Sequence, residues 1–199
     1  MAFSLVLASQ SRIRSALLTQ VGIDHQIIPA RVDEEAVKQA LVAELASART
    51  IADTLAELKA RKVAEKNPER VVLGCDQTLC LKARMFSKPE TQADAVAQLK
   101  SLQGQTHQLF SAIVLYENAR PVWRHVAEAQ MTMRPLSDQF IANYTSQHWP
   151  DIAHSVGAYM IESAGLGLFS VISGEYSGIL GLPVPPLVSY LALRGFIPS

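Results

Sequence analysis

Residues 70–89, RVVLGCDQTLCLKARMFSKP, limit the possible folds more than any other stretch. Val71, Val72 and Leu73 form a short apolar run with β-branched residues, the pattern of a strand buried on both faces. Gly74 and Cys75 follow, and then a carboxylate, Asp76. Aspartate is depleted in strands and almost never fully buried without a partner. The expectation is that the strand ends at Asp76. That places the carboxylate at the carboxyl edge of a sheet, where open α/β folds bind ligands. Lys88 and Pro89 return a cation after a short hairpin. Each residue also has a plain structural explanation: Asp76 as a turn residue, Lys88 as a solvated lysine. The case for chemistry depends on what else meets them.

Long-range attraction is excluded as the source of any anion binding. Acidic and basic residues balance at 18 each, so the net charge is zero. Such a chain has no general pull on nucleic acid or an anionic membrane, and an anion must be gripped by a local cluster. Apolar residues make up 49% and charged residues 18% of the 199 positions, enough for one sizeable domain or two small lobes sharing a core. No apolar run reaches the length of a membrane span. The opening MAFSLVLASQSR has its apolar run before its positive charges, the reverse of a secretory signal, so cytoplasm is the expected location. Cys75 and Cys80 sit five apart in a strand pattern, point to opposite faces and cannot pair there. Without a CxxC or a histidine cluster, zinc is not indicated.

Helices and strands alternate along the chain. A first strand over 3–8 leads past Ser9 into a helix through Val21, with Ile13, Leu17 and Val21 as its expected buried stripe. Ser9 or Ser11 suits the N-cap, and Gly22 the stop. A strand entering a helix presents free N–H groups suited to phosphate, although no glycine-rich loop is present. Arg12 and Arg14 place positive charge in that first turn, where the helix dipole disfavours it. A bound anion would offset this; two solvated arginines explain it equally simply. A second short strand covers 25–29. Asp33, Glu34 and Glu35 then open a helical segment that runs to Lys66 as one helix or as two broken near Ser47. The dipole alone accounts for acids in that position. Ile51, Leu55, Leu58 and Val63 define an inward stripe, and Lys59 falls on it, either snorkelling outward or lining a cleft. A helix before Gly104, a hairpin over 106–133, a helix capped by Ser137 and a glycine-rich stretch of the last fifty residues complete the pattern. A strand is expected over 168–172. The histidines lack ligand spacing and read as core or surface residues.

The ordered pieces resemble the Maf family of nucleoside triphosphate pyrophosphatases from about Leu5 to Leu191. LASQSRIRSALLTQVGI is similar to the family's LAS-x-S-P-R-R-x-x-L-L opening. VDE at 32–34, LAELKA with Lys59, GCDQT with Asp76, SKP with Lys88, GAYMIES and SGEYSGILGLPVPPL follow in the family's order. Arg12 stands at the family's proline, Ile13 at its first arginine and Arg14 at its second. Ser163 replaces a common glycine, and His154 and Ser155 stand where other members carry Asp and Lys. The resemblance implies an α/β fold of two lobes around a mixed, highly twisted sheet flanked by helices, with a deep central cleft, as a single domain over 1–199 like the inosine triphosphatases. It implies hydrolysis of a nucleoside triphosphate between the α and β phosphates, a divalent metal, Mg²⁺ or Mn²⁺, and a possible homodimer. Ser9, Arg14, Lys59 and Lys88 then become phosphate-binding candidates. Glu34 and Asp76 become metal ligands, and Asp76 also the catalytic base. Gln77 and Glu162 resemble the branch acting on 7-methyl-GTP, CTP or UTP more than the branch preferring dTTP and UTP. A nucleotide-binding regulator of cell division without turnover, or an inosine triphosphate hydrolase, are the competing expectations.

Overall fold

Short buried apolar segments alternate with helices whose starts are fixed by capping side chains, and the result is a mixed sheet flanked by helices. The computed structural model describes residues 5–198. Phe3 and Ser4, expected to begin the first strand, lie outside the described residues, and the strand is described from Leu5. Two compact units are present.

The first unit comprises residues up to Gln77, Phe110–Ala127 and the chain from Glu175 onward. Its β1 (Leu5–Leu7) is wholly buried and pairs in parallel with β2 (His25–Ile27) and β3 (Val71–Leu81). Parallel neighbours require crossovers. α1 (Arg12–Gln20) supplies the first, and α2 (Glu34–Ala43) with α3 (Ala48–Ala64) the second. The break between α2 and α3 falls at Ser47, whose hydroxyl accepts from Thr50 N and caps α3. Buried residues Leu5, Leu7, Leu18, Leu73, Ile113, Leu115, Leu187 and Leu191 form one apolar core. The stripe on α1 is shifted from expectation: Leu17 and Leu18 are buried, whereas Val21 is 42% exposed. Val21 lies beyond the last helical turn, where the periodicity no longer holds.

Gly74 sets the distance between α3 and β3. A Cβ at this position would lie 2.1 Å from the Ala56 carbonyl oxygen and 2.6 Å from Ala60 N. Only glycine lets the helix lie this close to the strand, and the close approach is what brings Lys59 within reach of Asp76.

The second unit comprises Thr78–Leu109 and Glu128–Gly174. The last part of β3 pairs antiparallel with β4 (Arg84–Phe86), matching Leu79 with Phe86. α4 (Gln92–Leu102) starts with a capping box between Thr91 and Asp94, and α5 (Asp138–His148) with Ser137 as cap. Lys100 of α4 meets Asp138 of α5 at 2.9 Å. β5 (Thr106–Glu117) and β6 (Arg120–Met133), each with residues in both units, form the expected hairpin. Its turn residues Asn118 and Ala119 have φ of 51° and 56°, the geometry of a tight turn between twisted strands. β7 (Phe169–Ser173) pairs antiparallel with the end of β6, one residue later than expected. The sheet order is β2-β1-β3-β5-β6-β7, with β4 on β3. The chain closes with α6 (Tyr176–Ile179) and α7 (Val184–Leu193) in the first unit.

One expectation fails: β3 does not end at Asp76 but runs through it to Leu81. A carboxylate terminates a buried strand only when nothing neutralises it, and Asp76 is neutralised.

Candidate active site

Asp76 occupies the interior of β3 and is 6% exposed. Its Oδ1 accepts a hydrogen bond from Lys59 Nζ at 2.6 Å. Lys59, 7% exposed, also contacts Glu34 Oε1 at 2.9 Å. The inward stripe of α3 thus carries an ammonium that joins two carboxylates from different elements. Asp33 accepts from Ala36 N and caps α2, which leaves Glu34 in the first helical turn free to reach Lys59.

Burial pushes the Asp76 carboxyl above the usual carboxylate range. The charge and hydrogen bond of Lys59 and the charge of Arg14 pull it back, and Glu34 pushes it further up. Desolvation is the largest contribution, so the site holds a carboxylate with raised proton affinity beside a fixed cation. The neighbouring Cys75 thiol is pushed up to about 11 by burial and is not a nucleophile near neutral pH.

Arg14 does not point freely into solvent. Its Nε donates to the Gly181 carbonyl at 2.8 Å, and Nη1 donates to the Cys75 carbonyl at 3.0 Å and to Ser9 Oγ at 3.2 Å. Ser9 Oγ also accepts from Ser11 N. Ser9 and Arg14 therefore fix the peptide directly before Asp76. Ser11 is the residue that caps α1. Arg12 is exposed.

Gln77 is held by its amide nitrogen, which donates to Ser111 Oγ at 2.8 Å, Ile179 O at 2.8 Å and Gly178 O at 3.3 Å. In the second unit, Lys88 is exposed and lines a polar hollow with Arg84, Glu90, Asp94 and Gln98. Glu162 is exposed in a turn of that unit, and its charge adds to the burial that pushes Tyr144 up to about 12. Of the expected residues, the first unit thus gathers Glu34, Lys59 and Asp76 directly, with Ser9, Arg14 and Gln77 bound to the backbone around them. Lys88 and Glu162 belong to the other unit.

Sequence reasoning missed Lys38. It is half-buried on α2, and its ammonium interacts electrostatically with Glu35 and Asp76. Its position four residues after Glu34 was the available signal.

No group of three His, Cys, Asp or Glu side chains able to hold a metal exists among the described residues. Mg²⁺ does not need one, because it is held by one or two carboxylates while water and substrate phosphates fill its other positions. Glu34 and Asp76, tied to one ammonium, fit such an ion. No helix among the described residues is long and apolar enough to cross a membrane.

A family model described as Maf-like protein matches residues 4–193. A nucleoside triphosphate pyrophosphatase of Roseobacter denitrificans is 50% identical over 194 residues, covering 98% of each chain. A 7-methyl-GTP pyrophosphatase of Brucella abortus is 46% identical over 191 residues, covering 96% of each. Among solved structures, a HAM1 protein from Coxiella burnetii matches with a TM-score of 0.42 and 18% identity over 66% of this chain and 73% of that one.

Proposed function

The chain belongs to the Maf-like protein family, and we propose that it hydrolyses a nucleoside triphosphate at the α–β phosphate bond, releasing a nucleoside monophosphate and pyrophosphate. The observation that carries the reading is the triad in which buried Lys59 holds both buried Asp76 and half-exposed Glu34. Burying a carboxylate against an ammonium, as with Asp76 and Lys59, is a poor way to stabilise a fold, since desolvation offsets most of the Coulombic gain. It is a good way to keep a base charged and aimed.

Asp76 takes the proton from the water that attacks the α-phosphorus. Its raised proton affinity makes it a stronger base than a solvated aspartate, closer to the value that suits proton transfer near neutral pH. Lys59 fixes the carboxylate through Oδ1 and keeps it ionised. Arg14, anchored on Ser9 Oγ, donates to the Cys75 carbonyl and so holds the backbone that presents Asp76, and the guanidinium adds positive charge where phosphate arrives. Lys88, in the second unit, keeps the phosphate-binding role that the family resemblance implies for it. A divalent ion, Mg²⁺ or Mn²⁺, held by Glu34 and Asp76 would neutralise phosphate oxygens when bound.

Base preference is assigned to Gln77 and Glu162. A 7-methylated guanine carries a positive charge, and an exposed glutamate matches it by charge and by accepting N–H bonds. The relative from Brucella abortus supports that class of substrate.

The test is product identity. The purified chain is given 7-methyl-GTP, CTP, UTP and dTTP, with Mg²⁺ and with chelator. Pyrophosphate and monophosphate should appear in equal amounts, fastest with 7-methyl-GTP and only with the metal. Release of orthophosphate instead, or nucleotide binding without turnover, overturns the proposal. The second outcome would favour a regulatory binding protein.

A further inference from the structure

Counting charge around Asp76 shows that the triad, even with a divalent ion bound, cannot balance a polyphosphate by itself. Glu34 and Asp76 contribute two negative charges and Lys59 one positive charge. The substrate adds several more negative charges, so further cations must face the same place. Arg14 is one, but its Nε and Nη1 hydrogens are directed at the Gly181 and Cys75 carbonyls and at Ser9. Its charge helps, whereas these donors are committed within the protein.

The second cation comes from α2. Glu34 and Lys38 stand one helical turn apart and share a face of that helix. Glu34 reaches inward to Lys59, so the face carrying Lys38 is turned toward the triad. Glu35, three residues before Lys38, is the larger of the two charges that act on it, and its Oε1 also accepts from Gln39 Nε2 at 3.1 Å. Lys38 is half-buried, unlike Glu35 and Gln39 beside it, which are exposed. Burial lowers its proton affinity by more than Glu35 and Asp76 raise it. A phosphate oxygen beside such an ammonium would reverse that balance.

We infer that Lys38 is a polyphosphate-binding residue of this site, contributed by α2 and supplementing Lys59 and Arg14. The inference rests on the reading of the site as a nucleotide pyrophosphatase. It goes beyond the assigned set, because Lys38 belongs to none of the motifs that carry the family resemblance.

The experiment compares parent, Lys38→Ala, Lys38→Gln and Lys38→Arg, first for pyrophosphate release by the parent. A parent without that activity sinks the functional reading and the inference with it. With an active parent, competition by inorganic tripolyphosphate and by nucleoside monophosphate is measured for each variant, together with KM, kcat and Tm. A lost hydrogen bond to a charged group predicts that Lys38→Ala raises KM and weakens tripolyphosphate about tenfold, with kcat within about twofold. Lys38→Arg should restore most of the loss, and Tm should not move. Should Lys38→Ala fail to fold, Lys38→Gln carries the same prediction. Unchanged tripolyphosphate competition in a folded variant overturns the inference and leaves the proposed activity standing. An equal loss for monophosphate, or a fall in kcat alone, overturns it as well.

Discussion

The two units bury polar side chains in opposite ways. In the first, Asp76 and Lys59 are buried as charges and held by each other. In the second, His107 is completely buried and pairs through Nε2 with the Tyr159 hydroxyl at 2.8 Å, against the rings of Tyr159 and Phe169. Its Nδ1 has no partner among the described residues. Burial drives His107 down to about 4, so it stays neutral across the physiological range. A fold that needs only packing neutralises what it buries. Retained charge under burial therefore separates the site from an ordinary core, and the comparison can be broken by experiment.

The largest effect falls on Asp76. Asp76→Asn removes the base while keeping shape, and kcat should drop about 10³-fold or more, the usual range for a lost general base. Stability should move the other way. The folded carboxyl has a raised proton affinity, so its ionisation costs the fold some stability as pH rises from the unfolded value through the folded one. Replacing it by a neutral isostere removes that cost, and Tm in chelator at pH 8 should stay level or rise. A folded Asn variant hydrolysing at the parent rate ends the catalytic assignment. One that melts well below the parent would make Asp76 a structural residue like His107.

Lys59→Met attacks the same cluster from its cation. Breaking a buried pair by removing one partner costs about 3–5 kcal/mol, because Asp76 is left in a dry environment. The predicted signature is a large fall in Tm that shrinks at low pH, where Asp76 takes up a proton. A pH-independent fall would mean that Lys59 acts through packing alone.

His107 should act in a lower pH window and only on stability. Its folded proton affinity is depressed from 6.5 to about 4, so the unfolded chain takes up a proton first as pH falls. Stability is complete above the unfolded value and declines between pH 6.5 and about 4, by about 3 kcal/mol if the whole difference is realised. His107→Gln should flatten that decline in acid-unfolding curves and leave KM and kcat at pH 8 alone. A change in kcat would blur the distinction between the units.

The charged cluster was more legible in the sequence than the strand that carries it. Lys59 repeats with Leu55 and Val63 at helical spacing, so its inward direction followed from periodicity alone. Ser47 marked the helix break because capping is a local interaction. The length of β3 was not legible, since a buried aspartate inside a strand is allowed only by an ammonium 17 residues earlier in the chain. Local preference and long-range charge compensation disagree at Asp76, and compensation decides. The carbonyl contacts of Arg14 were hidden for the same reason, since they depend on which segments lie near one another, whereas Lys38 left a signal in its spacing from Glu34. Gly74 was readable in principle, because an isolated glycine in a strand signals a close backbone approach.

Gln77 gives the smallest and sharpest contrast, because it adjoins Asp76 in sequence yet is held entirely by neutral hydrogen bonds. Its amide ties β3 to Ser111 of β5 and to the Gly178 and Ile179 carbonyls of α6. Gln77→Ala leaves the Ile179 carbonyl without that donor, while Gly178 O still accepts from Ser111 Oγ at 2.6 Å. The expected loss is about 1–2 kcal/mol in denaturant unfolding, the cost of a buried carbonyl losing one partner. Turnover of the best nucleotide should change by a few-fold at most, and the ratio of 7-methyl-GTP to dTTP hydrolysis should fall. Asp76→Asn and Gln77→Ala would then be opposites at adjacent positions: activity lost with stability kept, and stability lost with activity kept. If both variants lose activity to the same degree without unfolding, charge is not what separates the site from its surroundings, and the amide of Gln77 belongs to the reacting machinery as well.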